Sequence, residues 1–242
     1  MQELYPIKTN CEELDSIIGC FYPGELTLIW GSSFQFFEEG PYFLFTVAKM
    51  ITCGTGMPGI LFASYYQPRT IYCSFIASIT GIPEMKIYDG KFDKAEASLV
   101  KTITKQVYDL PLAIIRPMPY FEKLIKVIYK SYKKKGIKIF YLECLPRLKT
   151  DTELSGLEEN TFEIIKLKQL AKELNISIIV SSYILCIDEG IVNNSDNILF
   201  FDKFQKTSDI GQYNWNMKVL KTHDGKLGSY NLMFNPGTLT FL

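Results

Sequence analysis

Short apolar runs alternate with amphipathic stretches along most of the chain, and the two periods separate its strands from its helices. Glu25 to Gly31 (ELTLIWG) and Gly59 to Ser64 (GILFAS) are near-continuous apolar segments, the pattern of strands covered on both faces. Leu112 to Ile115, Ile137 to Leu142 (IKIFYL), Ile176 to Ser182 (ISIIVSS) and Asn197 to Phe201 (NILFF) repeat it. Between them the spacing turns helical. Tyr42 to Cys53 (YFLFTVAKMITC) reads as an apolar helix, and Thr70 to Thr80 as a second that stops at Gly81. Lys94 to Tyr108 is a third, with Asp93 placed to cap it and Glu96 to complete a capping box. Phe121, Leu124, Ile125, Ile128, Tyr129 and Tyr132 fall on one helical face, and Gly136 ends that helix. Glu158 to Leu174 is amphipathic as well. Asp224-Gly225, flanked by Asn214–Lys221 and Leu227–Phe234, marks a hairpin. Repeated β–α–β order with buried strands predicts an α/β domain with a mostly parallel central sheet, to which the last hairpin adds antiparallel edge strands.

Composition narrows the class. At 242 residues, 47% hydrophobic and 21% charged, the chain is long and apolar enough for one large globular core. No linker, repeat or low-complexity tract divides it, so residues 1–242 read as a single domain. Lys+Arg and Asp+Glu balance at 26 each, which removes any global attraction to nucleic acid. Only Arg69, Arg116 and Arg147 supply the bidentate guanidinium that suits phosphate. The six cysteines form no C-x-x-C pair, as expected of buried thiols in a reducing cytosol. No signal-peptide pattern or membrane-spanning run stands out, so the expected location is cytoplasmic, without a membrane partner. The single histidine, His223, leaves no His-based metal site or hydrolytic triad to assemble.

Between the first strand and the helix from Tyr42 lies Ser32 to Pro41 (SSFQFFEEGP), read as a ten-residue loop. A phosphate-binding loop has this layout, with backbone N–H groups, a helix N-terminus and a Lys meeting the phosphate charge. Here the loop has neither Lys nor Arg and carries Phe34, Phe36, Phe37, Glu38 and Glu39. Three readings suit the aromatics: folding back onto the core, filling an emptied nucleotide pocket, or contacting a partner. The densest basic patch, Lys130, Lys133, Lys134, Lys135 and Lys138, sits at a predicted helix C-terminus. It reads either as a solvated helix end, where cations suit the helix dipole, or as a polyanion site.

Four stretches resemble the ATPase domain of DnaB-type replicative helicases, in the RecA-like P-loop group. Thr9 to Asp15 (TNCEELD), leading to Gly24-Glu-Leu26, resembles the family's approach to its first strand. Phe75 to Phe92 (FIASITGIPEMKIYDGKF) resembles the helix and I-x-x-G-x-L segment after the second strand. Leu167 to Ser182 (LKQLAKELNISIIVSS) resembles the LAKEL segment before the glutamine strand, and Lys221 to Gly228 (KTHDGKLG) the K-x-R-x-G-x-x-G hairpin. The order is colinear from about residue 9 to 241. The resemblance implies a RecA-like three-layer domain, without the separate N-terminal domain of these helicases, and two family activities, Mg²⁺-dependent ATP hydrolysis and DNA binding.

The departures fall on the chemistry. The family's first loop ends in Gly-Lys-Thr, with Lys on the β- and γ-phosphates and Thr on Mg²⁺. Matching the helix at Tyr42 to Ala48 places Glu39-Gly40-Pro41 there. The second strand's Ser-Leu-Glu, whose Glu activates water, reads Ser64-Tyr65-Tyr66. The third strand's Mg²⁺-linked Asp matches Glu143, which could still hold a metal. The fourth strand's Ser-Gln, whose Gln senses the γ-phosphate, reads Ser182-Tyr183. In the hairpin Lys221 is kept, and His223 replaces the Arg that acts in trans on a neighbour's ATP. Gly31, Ser32, Ser33, Gly40, Tyr66, Glu143, Tyr183, Lys221 and His223 thus read as the remnant of a nucleotide site with no intact catalytic set.

Magnitudes decide what that remnant can do. A general base is worth roughly 10²–10⁴ in rate and an arginine finger roughly 10³–10⁵. Loss of lysine, base, sensor and finger together implies no useful turnover, even allowing for non-additivity. The counterpart of the family's DNA-binding loop, Ile184 to Asp196 (ILCIDEGIVNNSD), is short and acidic, with no Lys or Arg between Lys172 and Lys203, so weak nucleic-acid affinity is expected. The expectation is a catalytically degenerate DnaB-like domain that needs no cofactor and acts as a structural or regulatory module in DNA replication or recombination. Its contacts would be with copies of itself or with an active RecA-like relative. The alternative is a genuine ATP-dependent helicase, or a nucleotide-dependent DNA-binding protein, with an atypical loop. That reading needs ATP and Mg²⁺, with Lys221 still functional, Glu143 on the metal and a Lys from elsewhere on the phosphates.

Overall fold

The computed structural model describes residues 5–31, 34–116, 120–143, 154, 156–183, 187–206, 213–238 and 240–241, without the side chains of 34–39, 203–206 and 240. In chain order the helices are α1 (Glu12–Ile18), α2 (Phe34–Thr55), α3 (Pro68–Thr80), α4 (Glu84–Asp89), α5 (Lys94–Tyr108), α6 (Phe121–Lys135), α7 (Leu157–Leu174) and α8 (Glu189–Asn194). The strands are β1 (Leu26–Gly31), β2 (Gly59–Ala63), β3 (Leu112–Ile115), β4 (Ile139–Glu143), β5 (Ser177–Tyr183), β6 (Asn197–Lys206), β7 (Tyr213–Lys221), β8 (Gly228–Asn235) and β9 (Thr240–Phe241).

The strands form one sheet in the order β3-β2-β4-β5-β1-β6-β7-β8-β9. Pairing is parallel from β3 across to β6 and antiparallel from β6 to β9. Side chains alternate across the parallel strands. Leu26 and Leu28, Phe140 and Leu142, and Ile178 and Val180 pack against α6 and α7 through Leu124, Ile128, Ile164 and Leu167. Their neighbours Ile29, Tyr141 and Ile179 face the opposite layer, built on α2 and α3 with Phe43, Val47, Ile71 and Phe75. The near-continuous apolar runs of the sequence are therefore strands buried on both faces, between two helical layers.

Register sets the strand ends side by side. Gly31 pairs with Tyr183, Ser181 with Glu143, and Glu143 with Ala63. The C-terminal ends of β1, β2, β4 and β5 thus share one edge, the edge where open α/β sheets bind ligands. The hairpin runs the other way. Its tip returns to the N-terminal edge, where Ile198 pairs with Lys221. There the Asp224 carboxylate accepts from the Cys20 amide at 2.9 Å and the Tyr22 hydroxyl at 2.6 Å. A Cβ on Gly225 would lie 2.6 Å from the Ile17 carbonyl oxygen, so close docking of the tip on α1 requires glycine as much as the turn does.

Two segments differ from the sequence expectation. The segment Ser32 to Pro41 is not a ten-residue loop, because α2 starts at Phe34 and runs 22 residues with Pro41 inside it. Proline removes one N–H, and so one helical hydrogen bond, but its φ suits a helix. Gly40, Pro41 and the turns that follow are buried, and packing outweighs the local breaker signal. Ser32 and Ser33, and the side chains of Phe34, Phe36, Phe37, Glu38 and Glu39, lie outside the described residues. The acidic segment Ile184 to Asp196 is not all loop either, since it contains α8. Asp188 caps that helix by accepting from the Ile191 amide at 2.8 Å, and also accepts from the Thr161 hydroxyl at 2.8 Å.

Candidate nucleotide site

Five of the nine residues singled out from sequence sit at or beside the C-terminal edge of the parallel strands. Gly31 and Tyr183 end β1 and β5, Glu143 ends β4, Tyr66 follows β2, and Gly40 lies in the first part of α2. Glu143 is buried, with 1% of its surface exposed. Its Oε2 accepts from the Tyr65 amide at 2.8 Å and from the Tyr66 amide at 3.4 Å. The carboxylate therefore ties the chain leaving β2 to the end of β4.

Tyr42 completes this edge, and the sequence reading did not include it. It stands directly after Gly40-Pro41, the pair matched to the family's Lys-Thr. Its ring centroid is 5.1 Å from that of Tyr66. Burial, reinforced by Tyr66, pushes the Tyr42 phenol well above the ordinary tyrosine range. Phe45 and Tyr65 add edge-to-face contacts to Tyr66 at 5.8 and 4.9 Å, and Phe234 of β8 lies 6.1 Å from Tyr42. The residues matched to the position after Lys-Thr, to the base and to the metal-linked acid are thus joined by an aromatic contact and a carboxylate–amide contact. Position in the family pattern marks Tyr66 and Glu143, but only the fold brings Tyr42 to them.

Lys221 and His223 stand at the opposite edge of the sheet. The Lys221 ammonium donates to the Val192 carbonyl at 3.0 Å. His223 places Nδ1 2.6 Å from Glu25 Oε1, stacks on Tyr22 at 4.7 Å, and donates its amide to Asn197 Oδ1 at 2.9 Å. Burial raises the Glu25 carboxyl despite the opposing hydrogen bond from His223.

ATP with Mg²⁺ would need a cradle of loop amides, a cation and an oxygen ligand free for the metal. Between Gly31 and Phe34 stand only Ser32 and Ser33. Three cations on the surrounding elements are engaged elsewhere. Lys49 donates to Ser78 Oγ at 2.6 Å, and burial lowers its pKa. Arg69 lies 4.4 Å above the Tyr88 ring, and Lys218 pairs with Asp202 at 2.5 Å. Glu143 Oε2 accepts from two backbone amides, and no group of three or more His, Cys, Asp or Glu able to hold a metal occurs among the described residues. Lys49, Arg69 and Lys218 do not fit a phosphate at this edge.

The sheet order, the two helical layers and the antiparallel hairpin define a RecA-like α/β domain. Its sequence matches the model of the DnaB-like helicase C-terminal domain over residues 6–185, and the chain belongs to that family. The ATPase domain of G40P superposes with a TM-score of 0.80 at 16% identity, over 98% of this chain and 90% of that one. A DnaB-like replicative helicase, solved to show its interactions with primase, gives a TM-score of 0.80 at 14% identity, over 98% of this chain and 61% of that one. At such identities the likeness is one of fold. No curated protein matches the chain.

Proposed function

We propose that this chain is a DnaB-like domain that no longer hydrolyses nucleotide and serves as a structural or regulatory module in DNA replication or recombination. The observation that carries the reading is the rebuilt β1–α2 connection. The helix starts at Phe34, and the Tyr42 ring packs on that of Tyr66, which stands in place of the catalytic base. Retention of the whole scaffold beside that site supports a role in assembly, either among copies of this chain in the cytoplasm or with an active RecA-like relative. A docking protein such as the primase of the similar helicase is a further partner consistent with the fold. Among the described residues no helix is long and apolar enough to cross a membrane.

Calorimetric titration of ATP and ADP with Mg²⁺ tests the proposal. The expected outcome is no binding heat and no phosphate release. Micromolar binding with measurable turnover would overturn it. Activation of a partner by Lys221 in trans is less well supported, because that ammonium is already bonded to Val192.

A further inference from the structure

Helix α6 concentrates charge in a chain that is neutral as a whole. Between Phe121 and Lys138 stand seven lysines and one acid, Glu122. Lys123, Lys126, Lys130, Lys133, Lys134 and Lys135 are all exposed. None of them takes part in the ion pairs formed among the described residues. Cations at a helix C-terminus suit the dipole, but that effect is confined to the last turn and does not account for Lys123 or Lys126.

Aromatic rings are interleaved with these charges. The Lys123 ammonium lies 4.7 Å from the centre of the Tyr120 ring, and Lys138 4.8 Å from that of Tyr132. Lys133 lies 5.5 and 5.8 Å from Tyr129 and Tyr132. Tyr120 and Tyr129 are exposed. Alongside runs a groove of about 350 Å³ between α6 and α7, with Phe121 and Phe162 in its wall and two lysines, Lys126 and Lys166, balanced there by Glu122 and Glu173. All of this is carried on the helical layer opposite α2.

Three anionic surfaces could meet such a face. A membrane is disfavoured, because Phe121, Leu124 and Ile128 are buried against the sheet and leave α6 no apolar stripe to insert. An acidic protein segment would match the lysines but give the aromatic faces no task. Single-stranded nucleic acid uses both, phosphates on the ammonium groups and unstacked bases on the rings. We propose that the outer face of α6, with the adjoining α6–α7 groove, binds single-stranded nucleic acid. This site is independent of the Ile184 to Asp196 segment, whose Asp188 is engaged in capping α8.

Fluorescence anisotropy of the full chain with labelled oligothymidylate and oligouridylate tests the proposal. Four neutralised phosphates predict that log K falls with log salt at a slope of about −3 for a strand of about 20 nucleotides. Replacing Lys130, Lys133, Lys134 and Lys135 by Gln should bring that slope towards zero and weaken binding at least tenfold at about 50 mM salt. Replacing Lys94, Lys101 and Lys105 of α5 by Gln should leave both unchanged. Tyr129→Ala should weaken binding roughly fivefold or more while keeping the slope. Circular dichroism verifies that each exposed-residue variant is folded. The two oligonucleotides together show whether DNA or RNA is preferred. Three results would each overturn the proposal: no anisotropy change with either oligonucleotide at low salt, equal loss in the α5 variant, or competition by oligoglutamate of the same charge as strong as by unlabelled oligonucleotide.

Discussion

Glu163 of α7 has 1% of its surface exposed, and neither carboxyl oxygen finds a hydrogen-bond partner among the described residues. Burial, with added repulsion from Glu159 and Glu122, pushes its pKa up to about 9. The folded chain therefore keeps a proton that the unfolded chain releases above the ordinary value of 4.5. By linkage, this residue's contribution to stability is intact below that value and declines as pH rises towards 9, by at most about 1.4 kcal/mol per pH unit. Glu163→Met should flatten that decline and add about 1–3 kcal/mol of stability at slightly alkaline pH, read from urea melts on either side of neutrality. Glu143 is equally buried but accepts hydrogen bonds from two amides. Its place at a strand end was legible from the apolar run before it. Its tie to Tyr65 and Tyr66 was not, because it depends on the β2–β4 register.

Among the elements, those with a strong local signal emerged as read. The Asp93–Glu96 capping box is present, with the Asp93 carboxylate accepting from Ala95 and Glu96 amides at 2.8 and 2.9 Å and the Asp93 amide donating to Glu96 at 3.0 Å. Asp93→Ala should cost about 1 kcal/mol in thermal or urea denaturation, since the cap is exposed and its loss frees two amides. The short helices α1, α4 and α8, of six or seven residues, gave no comparable periodicity and exist because they pack. The start of α2 was misread for the opposite reason. Gly40-Pro41 is a strong local stop, and only the buried surroundings of those two residues and the turns after them override it. Of the candidate site, Gly31, Tyr66, Glu143 and Tyr183 could be placed on one edge from strand order. The Tyr42–Tyr66 pair could not, since ring contacts between a helix and a strand end leave no spacing in the sequence.

Across the whole molecule, the two ends of the parallel strands have diverged in character. One carries the aromatic contacts around Tyr42 and Tyr66, and the other holds the polar cluster of Glu25, Asn197, His223 and Asp224. On the proposed loss of turnover, returning an acid at one position should not restore what several positions supply as a unit in active relatives. Tyr66→Glu is therefore expected to show no ATP hydrolysis in a phosphate-release assay, although it returns an acid to the position of the base. Turnover in that variant would mean that the rest of the site is intact.

The opening of α2 has a consequence for any affinity that is measured. Phe34 to Pro41 supplies the residues from which a phosphate cradle would have to be made, and they are wound into helix. A loop cradle of the family's length could form only in the subpopulation of molecules in which those turns have come undone. That fraction multiplies the intrinsic association constant, so every 1.4 kcal/mol favouring the wound form weakens the observed affinity about tenfold. The binding constant of this chain for ATP would then report a helix–coil equilibrium as much as the complementarity of a pocket.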